Sequence, residues 1–433
     1  MDVPYGKTIR CGCGRIHEIE PREVYAGDAV ARQAAQWAMW AADGERAVLV
    51  ADRRTYEAAG RTVARALQEA AFAVDEIILS DGGPARPPVC DEATHAVVLD
   101  RLGEGANVVL AVGSGVISDV GKWAAFERGL PLITVATAAS MNGYTSANVA
   151  PTIGGLKSLV RARPPRAVLA DPRVIRDAPY ELTTAGLGDA LAKTTSATDW
   201  RLNHLLFGDY YCPASVALTD RIEPLYSDRP EALADREPAA IAALLEGLML
   251  TGVAMTMAES SAPASGGEHM VSHTLDMLSS LDGHPHDLHG RQVGVGTILA
   301  CELYRRVLAV ESPELRAPAG DVDEAYWGPL APACRKEYSR KLPRYEQAAK
   351  RIRTGSTWDD LRTELAAMVR PPERIRSCLE RARGAVVAAD VGCDRVRLLA
   401  ALLHGHEARS RFTVLDLARM LGVMPGAAAE IVH

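Results

Sequence analysis

Two runs without a polar residue, A-V-L-V-A from Ala47 and V-V-L-A-V from Val108, constrain this chain more than any other feature. A strand with one solvated face alternates polar and apolar residues, whereas a strand covered by helices on both faces of a parallel sheet reads as a continuous apolar run. The first run ends at Asp52 and is followed by the helical pattern R-R-T-Y-E-A-A-G-R-T-V-A-R-A-L-Q-E-A, then by the strand F-A-V-D-E-I-I-L. The second enters Gly113, Ser114 and Gly115 and a helical stretch, after which L-P-L-I-T-V-A-T adds another strand. This alternation specifies a parallel α/β domain. Four prolines crowd residues 161–180. Beyond them no convincing strand is found, and segments such as I-A-A-L-L-E-G-L-M-L-T-G-V-A-M-T-M carry helical periods, with Met249, Met255 and Met257 read as core packing. The expected architecture is an α/β domain over residues 1–170 and an all-α domain over residues 171–433.

The turn after the second run has the chemistry of a phosphate cradle. Gly113 and Gly115 let the backbone approach a phosphate closely, and the amides opening the next helix attract a pyrophosphate. A lone G-S-G is common, and Ser118 stands where the usual dinucleotide fingerprint has its third glycine. Asp52, at the end of the first strand, suits the ribose of a dinucleotide, or equally a plain helix cap. Its position upstream of the glycine turn differs from an ordinary Rossmann domain, so a different nucleotide-binding arrangement is expected. The loop A-A-S-M-N-G-Y-T-S-A offers hydroxyls to nicotinamide, ribose or substrate, although most hydroxyl-rich loops are only loops.

In the second half, A-G-L-G-D-A-L-A-K, E-H-M-V-S-H and D-L-H-G-R-Q-V-G-V-G-T bring forward Asp189, His269, His273 and His289. One carboxylate and two imidazoles form an open divalent-cation site, with positions left for water or substrate. His269 and His273 are four apart and share a helical face, so one can ligate while the other stands beside the substrate. Asp189 and Lys193 repeat the spacing. Buried histidines are more often hydrogen-bonded core residues, and His284 and His286 offer the same donors, so spacing alone leaves the ligand set open. Cys11, Cys13 and His17 lie close in C-G-C-G-R-I-H, too few ligands for a structural zinc site, and are read as local turn structure.

The 433 residues suffice for two domains with large cores. A net charge of -7 argues against nucleic acid or anionic membrane as partner. No apolar run is read as a transmembrane helix and the start lacks a leader's apolar stretch, so no membrane insertion and a cytoplasmic location are expected. The eight scattered cysteines suit free thiols.

Together, V-G-S-G-V-I-S-D-V-G-K, T-A-A-S-M-N-G-Y-T-S-A, A-G-L-G-D-A-L-A-K-T-T-S-A-T-D-W-R-L, E-H-M-V-S-H and H-G-R-Q-V-G-V-G-T closely resemble the sn-glycerol-1-phosphate dehydrogenase family. That family lies within the superfamily of iron-dependent alcohol dehydrogenases, glycerol dehydrogenase and 3-dehydroquinate synthase. The likeness spans nearly the whole chain, including V-A-D-R-R-T-Y-E-A-A-G and R-S-R-F-T-V-L-D-L-A. It implies a dehydroquinate synthase-like fold, an NAD(H)- or NADP(H)-binding first domain and a metal-binding second domain, with the active site in the cleft between them. It makes Asp189, His269 and His289 the ligands of one divalent ion, zinc or nickel, with His273 beside them as a proton relay. Asp52, Gly113, Ser114, Gly115, Asp119, Thr137 and Ser140 are then expected to line the dinucleotide site.

The implied reaction is reduction of dihydroxyacetone phosphate to sn-glycerol 1-phosphate. Lys193, one turn from Asp189, is expected beside the chemistry, and Asn142, Ser146, Lys157 and Arg291, with the hydroxyls of Ser140 and Thr145, around a small phosphorylated substrate. Asn142 replaces the acid of the family's S-M-D-G, and Ala136-Thr137 its P-T, which leaves the substrate's identity the most open point. Two alternatives share most of the motifs: a reductase of another sugar or cyclitol phosphate, and a dehydroquinate-synthase-like lyase. The lyase would carry Glu at position 189 and a D-S-S-V-G-G-K loop. A homo-oligomer is expected.

Overall fold

A hairpin of β1 (Thr8–Arg10) and β2 (Ile16–Glu18) opens the part of the chain that the computed structural model describes, residues 5–81, 87–353 and 357–432. Residues 1–4, part of the start read for a leader, lie outside it. Next come β3 (Glu23–Ala26), β4 (Arg46–Asp52), β5 (Ala73–Leu79), β6 (Val108–Gly113) and β7 (Leu132–Ala136). Two small antiparallel pairs follow: β8 (Asn148–Val149) with β11 (Val160–Arg161), and β9 (Thr152–Ile153) with β10 (Leu156–Lys157). The last strand, β12 (Ala167–Ala170), returns to the main sheet, whose order is β3-β12-β7-β6-β4-β5, parallel throughout.

The apolar runs are buried on both faces as expected. Leu49, Leu110 and Ile133 pack under the helices Val30–Ala41 and Arg61–Glu69. Val48, Val50, Val109 and Ala111 pack on the opposite side under Glu92–Leu102 and Gly115–Glu127. β12 lies inside the proline-rich stretch that reads as a boundary. Its four residues are too short a run to register between Pro165 and Pro172, and its burial between β3 and β7 is decided by the tertiary fold. From β4 the chain moves outward to β5, then crosses back to β6 and continues the other way. The sheet therefore has its switch point between β4 and β6, where α/β sheets hold ligands. Asp52 and Gly113 end those two strands.

The second half is helical. Its central helix, Pro238–Ala258, is apolar all round and 83% buried. By length and composition it could cross a membrane, which corrects the expectation that no such segment exists; its burial is that of a core helix. Met249, Met255 and Met257 are buried on it. The β1–β2 hairpin packs not on the sheet but on this half, around Trp200, Cys212, Val253 and Met257.

Helices Tyr180–Leu191 and His289–Leu308 touch backbone to backbone. A Cβ added at Gly188 would lie 2.0 Å from the Gly290 carbonyl oxygen, and one at Gly290 would lie 2.0 Å from that of Ala185. Helix His289–Leu308 meets Gly267–Asp282 in the same way, a Cβ at Gly296 falling 2.5 Å from the Glu268 oxygen. The glycines of A-G-L-G-D and H-G-R-Q-V-G-V-G-T thus set how closely three helices cross.

Neither rigid carbonyl can yield cheaply. Gly188→Ala is expected to lose at least ~2 kcal/mol of unfolding free energy through overpacking. Gly320→Ala, with open space around it, should stay within about 0.5 kcal/mol of the parent. Denaturant titration of both checks this, and equal midpoints would refute it.

Candidate active site

These crossings bring Asp189, His269 and His289 together. Each offers an atom within 4.8 Å of the others', and His269 Nε2 lies 3.5 Å from Asp189 Oδ1. Their other donors and acceptors are committed. Asp189 Oδ2 accepts from the Asn142 backbone amide at 2.8 Å, while His269 Nδ1 donates to Glu268 Oε1 at 2.8 Å. Glu268 is itself held by Thr195 Oγ1 at 2.6 Å and the Gly266 amide at 2.6 Å. His289 Nδ1 meets Ser272 Oγ at 3.0 Å, and Ser272 donates to Gln292 Oε1 at 2.9 Å. Fixing one ring nitrogen by a buried partner frees the other for a metal. Asp189 Oδ1 is buried with no hydrogen-bond partner. An orphaned carboxylate oxygen facing two imidazoles is the arrangement a divalent cation satisfies, so the residues present fit the ion.

The electrostatics agree with that fit. Burial alone would lower His269, yet the Asp189 and Glu268 carboxylates hold it raised to about 9. Burial and the neighbouring His269 push His289 down to about 4. His273 is carried well below the ordinary histidine range by burial, Arg409 and the other two imidazoles. Its Nδ1 has no partner, and its ring stacks 5.5 Å from that of His289.

The same cavity, about 690 Å³, is also lined by Asp119, Met141, Asn142 and Ser146, and Met141 lies beside the glycine turn at Gly115. There Ser114 caps Gly115–Glu127 without a side-chain bond, leaving the first amides open, and a Cβ at Gly113 would lie 2.4 Å from Ile117 Cβ. The Thr137 amide donates to the Gly113 carbonyl at 3.2 Å, so Thr137 sits beside the turn. Asp119 Oδ1 is buried without a partner, and Lys122, 3.9 Å away, donates to the Gly143 carbonyl at 2.5 Å. Asp52 accepts the Thr55 amide as a helix cap at 2.9 Å; Arg54, 3.8 Å from it, is bonded to Asp81 at 2.7 Å.

Several expected substrate groups are not brought to the cavity. The helix carrying Asp189 ends at Leu191 and a new one starts at Lys193, so the assumed shared face is lost and Lys193 donates to Asp220 at 2.7 Å. Arg291 is bonded to Asp287 at 2.7 Å and to the Asp390 carbonyl at 2.5 Å. Thr145 Oγ1 donates to the Met249 carbonyl at 2.6 Å and Ser140 Oγ lies 3.5 Å from Tyr144 OH, so both shape the loop. Ser146 does line the cavity, with its hydroxyl donating to the Asn148 carbonyl at 2.8 Å. Lys157, 3.8 Å from Asp276, approaches closely enough for its charge to be felt at His273 and His289. His284 and His286 are exposed, with His284 bonded to the Gly392 carbonyl.

A profile described as iron-containing alcohol dehydrogenase matches residues 27–179. Over 422 residues the chain is 30% identical to a glycerol-1-phosphate dehydrogenase [NAD(P)+] of Bacillus licheniformis, covering 97% of this chain and 94% of the relative. This chain belongs to the glycerol-1-phosphate dehydrogenase family. A second protein of that name, from Thermococcus kodakarensis, is 35% identical over 291 residues, 67% of this chain and 80% of its own. The fold is also that of a probable glycerol dehydrogenase from Sinorhizobium meliloti 1021, with a TM-score of 0.61, 17% identity and coverage of 96% and 99%. The α/β and helical domains, the NAD(P) cofactor class and the dependence on a metal are those of the family.

Within this glycerol-1-phosphate dehydrogenase-family cavity, reading motifs missed the guanidinium groups. Arg409 and Arg411, from R-S-R-F-T, and Arg344 line the wall beyond the histidines. Arg411 is lowered to about 10 by burial and is bonded to Ser261 Oγ at 3.0 Å and to the Ser265 carbonyl. Arg409, lowered by burial, has no hydrogen-bonding partner among the described residues. Two arginines two apart in R-S-R-F-T were the available signal.

Asp189→Asn, His269→Ala and His289→Ala are each expected to lose the ion of this site while NADH still titrates; metal mass spectrometry showing the parent's full metal content in all three would reject the ligand set. A second outcome follows from His269. Held near 9 in the metal-free protein, it is protonated at neutral pH. Metal must displace that proton, so affinity should rise with pH up to about 9 and fall in acid. Calorimetry in buffers of different ionisation enthalpy should register about one proton released per ion near pH 7, and no release would contradict this.

Proposed function

We propose that the chain catalyses the reversible NAD(P)H-linked reduction of dihydroxyacetone phosphate to sn-glycerol 1-phosphate. The observation that carries this is the presence, in one cavity, of a three-ligand cation set and the guanidinium of Arg409, which is partly withdrawn from water and makes no hydrogen bond among the described residues, with Glu337 as its neighbouring carboxylate. Relatives matched across nearly the whole chain are named for that product.

Asp189, His269 and His289 hold the ion, zinc or nickel by the donor set, which when bound supplies Lewis-acid polarisation of the substrate oxygen. The open amides after Gly113, Ser114 and Gly115 would hold the pyrophosphate of the dinucleotide and Asp52 its adenosine ribose, and the cofactor so bound would supply the hydride. Thr137 and Asp119 sit towards the nicotinamide end. His273, kept neutral, moves a proton between the product oxygen and water through its unpartnered Nδ1. The Asn142 Nδ2, also buried and unpartnered, donates to the substrate. Arg409, with Arg411 behind it and Lys157 across the histidines, binds the phosphate and thereby orients the carbonyl. Unpaired thiols suit the cytoplasm as its compartment.

The test compares catalytic efficiency on dihydroxyacetone phosphate and dihydroxyacetone. The phosphate ester should be preferred by orders of magnitude. Arg409→Gln should lower efficiency on the ester at least ~30-fold, with dihydroxyacetone within about threefold of the parent. Equal use of both substrates by the parent enzyme would sink the reading. For the cofactor, Asp52 favours a 2′-hydroxyl over a 2′-phosphate, while Arg54 is neutralised by Asp81. NADH should therefore be preferred without excluding NADPH, which parallel kinetics with the two will show.

A further inference from the structure

Apart from the ion centre's own ligands, the fold assembles a second cluster of soft donors. Cys11 and Cys13 lie in the turn between β1 and β2, His17 on β2, and Cys212 arrives from the segment after helix Lys193–Phe207. Cys11 Sγ and Cys212 Sγ are 3.7 Å apart; His17 Nε2 is 3.3 Å from Cys13 Sγ and 3.8 Å from Cys212 Sγ. All four ligand atoms lie within 4.8 Å of one another.

We propose that Cys11, Cys13, His17 and Cys212 form a structural zinc site. Sulfur and nitrogen ligands at about 2.3 and 2.0 Å from a tetrahedral zinc lie about 3.5–3.8 Å from each other, and the spacings here fit that polyhedron. The same ring nitrogen, His17 Nε2, faces two sulfurs. A lone N–H can serve only one of them, whereas a central cation accounts for both. Cys212 is fully buried and His17 nearly so, while Cys11 and Cys13 are half-buried, so the site lies against the helical half with its turn side nearer the surface. Tyr210 OH, 3.2 Å from Cys13 Sγ, donates to a thiolate there, the outer hydrogen bond that tunes such ligands. Two ligands in a tight C-x-C turn and one on the next strand cannot close a site alone. The fourth stands 195 residues beyond His17, where no local pattern reveals it.

The site gives the hairpin its purpose. β1 and β2 have three residues each and no place in the main sheet, too little to dock by apolar contact alone. Zinc bound across the turn fastens them to the helical half and holds Arg15 at the cavity wall, its guanidinium 3.5 Å over the Tyr210 ring.

Metal is to be counted by mass spectrometry in tag-free full-length protein grown with zinc. The parent should carry one thiolate-bound zinc in addition to the active-site ion. The double variant His269→Ala/His289→Ala should keep one zinc per chain; Cys13→Ser and Cys212→Ser should lose it while retaining the Asp189 ion. His17→Cys, offering four thiolates, should keep it. Should Cys212→Ser fail to fold, the double variant decides, since it leaves all four ligands untouched. Cobalt substitution of that variant should show intense thiolate-to-metal absorption. A folded double variant without zinc, free titration of the three thiols with no metal released, or a mass two hydrogens lighter from a Cys11–Cys212 disulfide would each overturn the proposal.

Discussion

Three helices cross at the closest distance a polypeptide allows, and the ion centre depends on that contact. Gly188 and Gly290 bring Asp189 and His289, their immediate neighbours in sequence, to within ligand reach of His269 because nothing but hydrogen separates the backbones. Burying a carboxylate and two imidazoles costs heavily unless each is paired. The pairs come from the same crossing: Glu268 on His269, Ser272 on His289 and the Asn142 amide on Asp189. Rigidity of the main chain, not of the side chains, makes the geometry reproducible.

Charges of both signs line the cavity: Asp119, Asp189 and Glu337 among the acids, and Arg409, Arg411 and Arg344 among the bases, the last paired with Asp209 at 2.7 Å. Burial raises Asp119, despite Lys122 3.9 Å away, and lowers both Arg409 and Arg411, the sign expected of charges withdrawn from water. An anionic ligand group beside the two arginines relieves that cost.

What the sequence made legible follows from how locally each feature is encoded. The strands Arg46–Asp52 and Val108–Gly113 announce themselves because burial on both faces leaves no polar residue in them. The strand Ala167–Ala170 does not, since four residues among prolines carry no period. Asp189, His269 and His289 lie in distinctive motifs and converge in space. Lys193 was misplaced because its spacing from Asp189 assumed one helix where two meet. Arg409 and Cys212 stayed hidden for a different reason: an arginine or a cysteine acquires meaning only from neighbours that are remote in sequence.

The hydrogen bond from the Asn142 amide to Asp189 Oδ2 joins a loop of the α/β domain to a ligand of the helical domain. A movement that widened the cleft and carried that loop away would strip a donor from a buried carboxylate, at a cost of about 1–3 kcal/mol. An ion at Asp189 makes the carboxylate worth keeping ionised, so the ion and the closed arrangement of the domains favour each other. By linkage, anything that holds the loop closed, a dinucleotide included, must tighten the grip on the ion by the same factor. The same loop is tied to the helical half by Thr145 Oγ1 on the Met249 carbonyl and by Thr256 Oγ1 on the Thr145 carbonyl, but the Asn142 N–H is the bond that ends on an ion ligand.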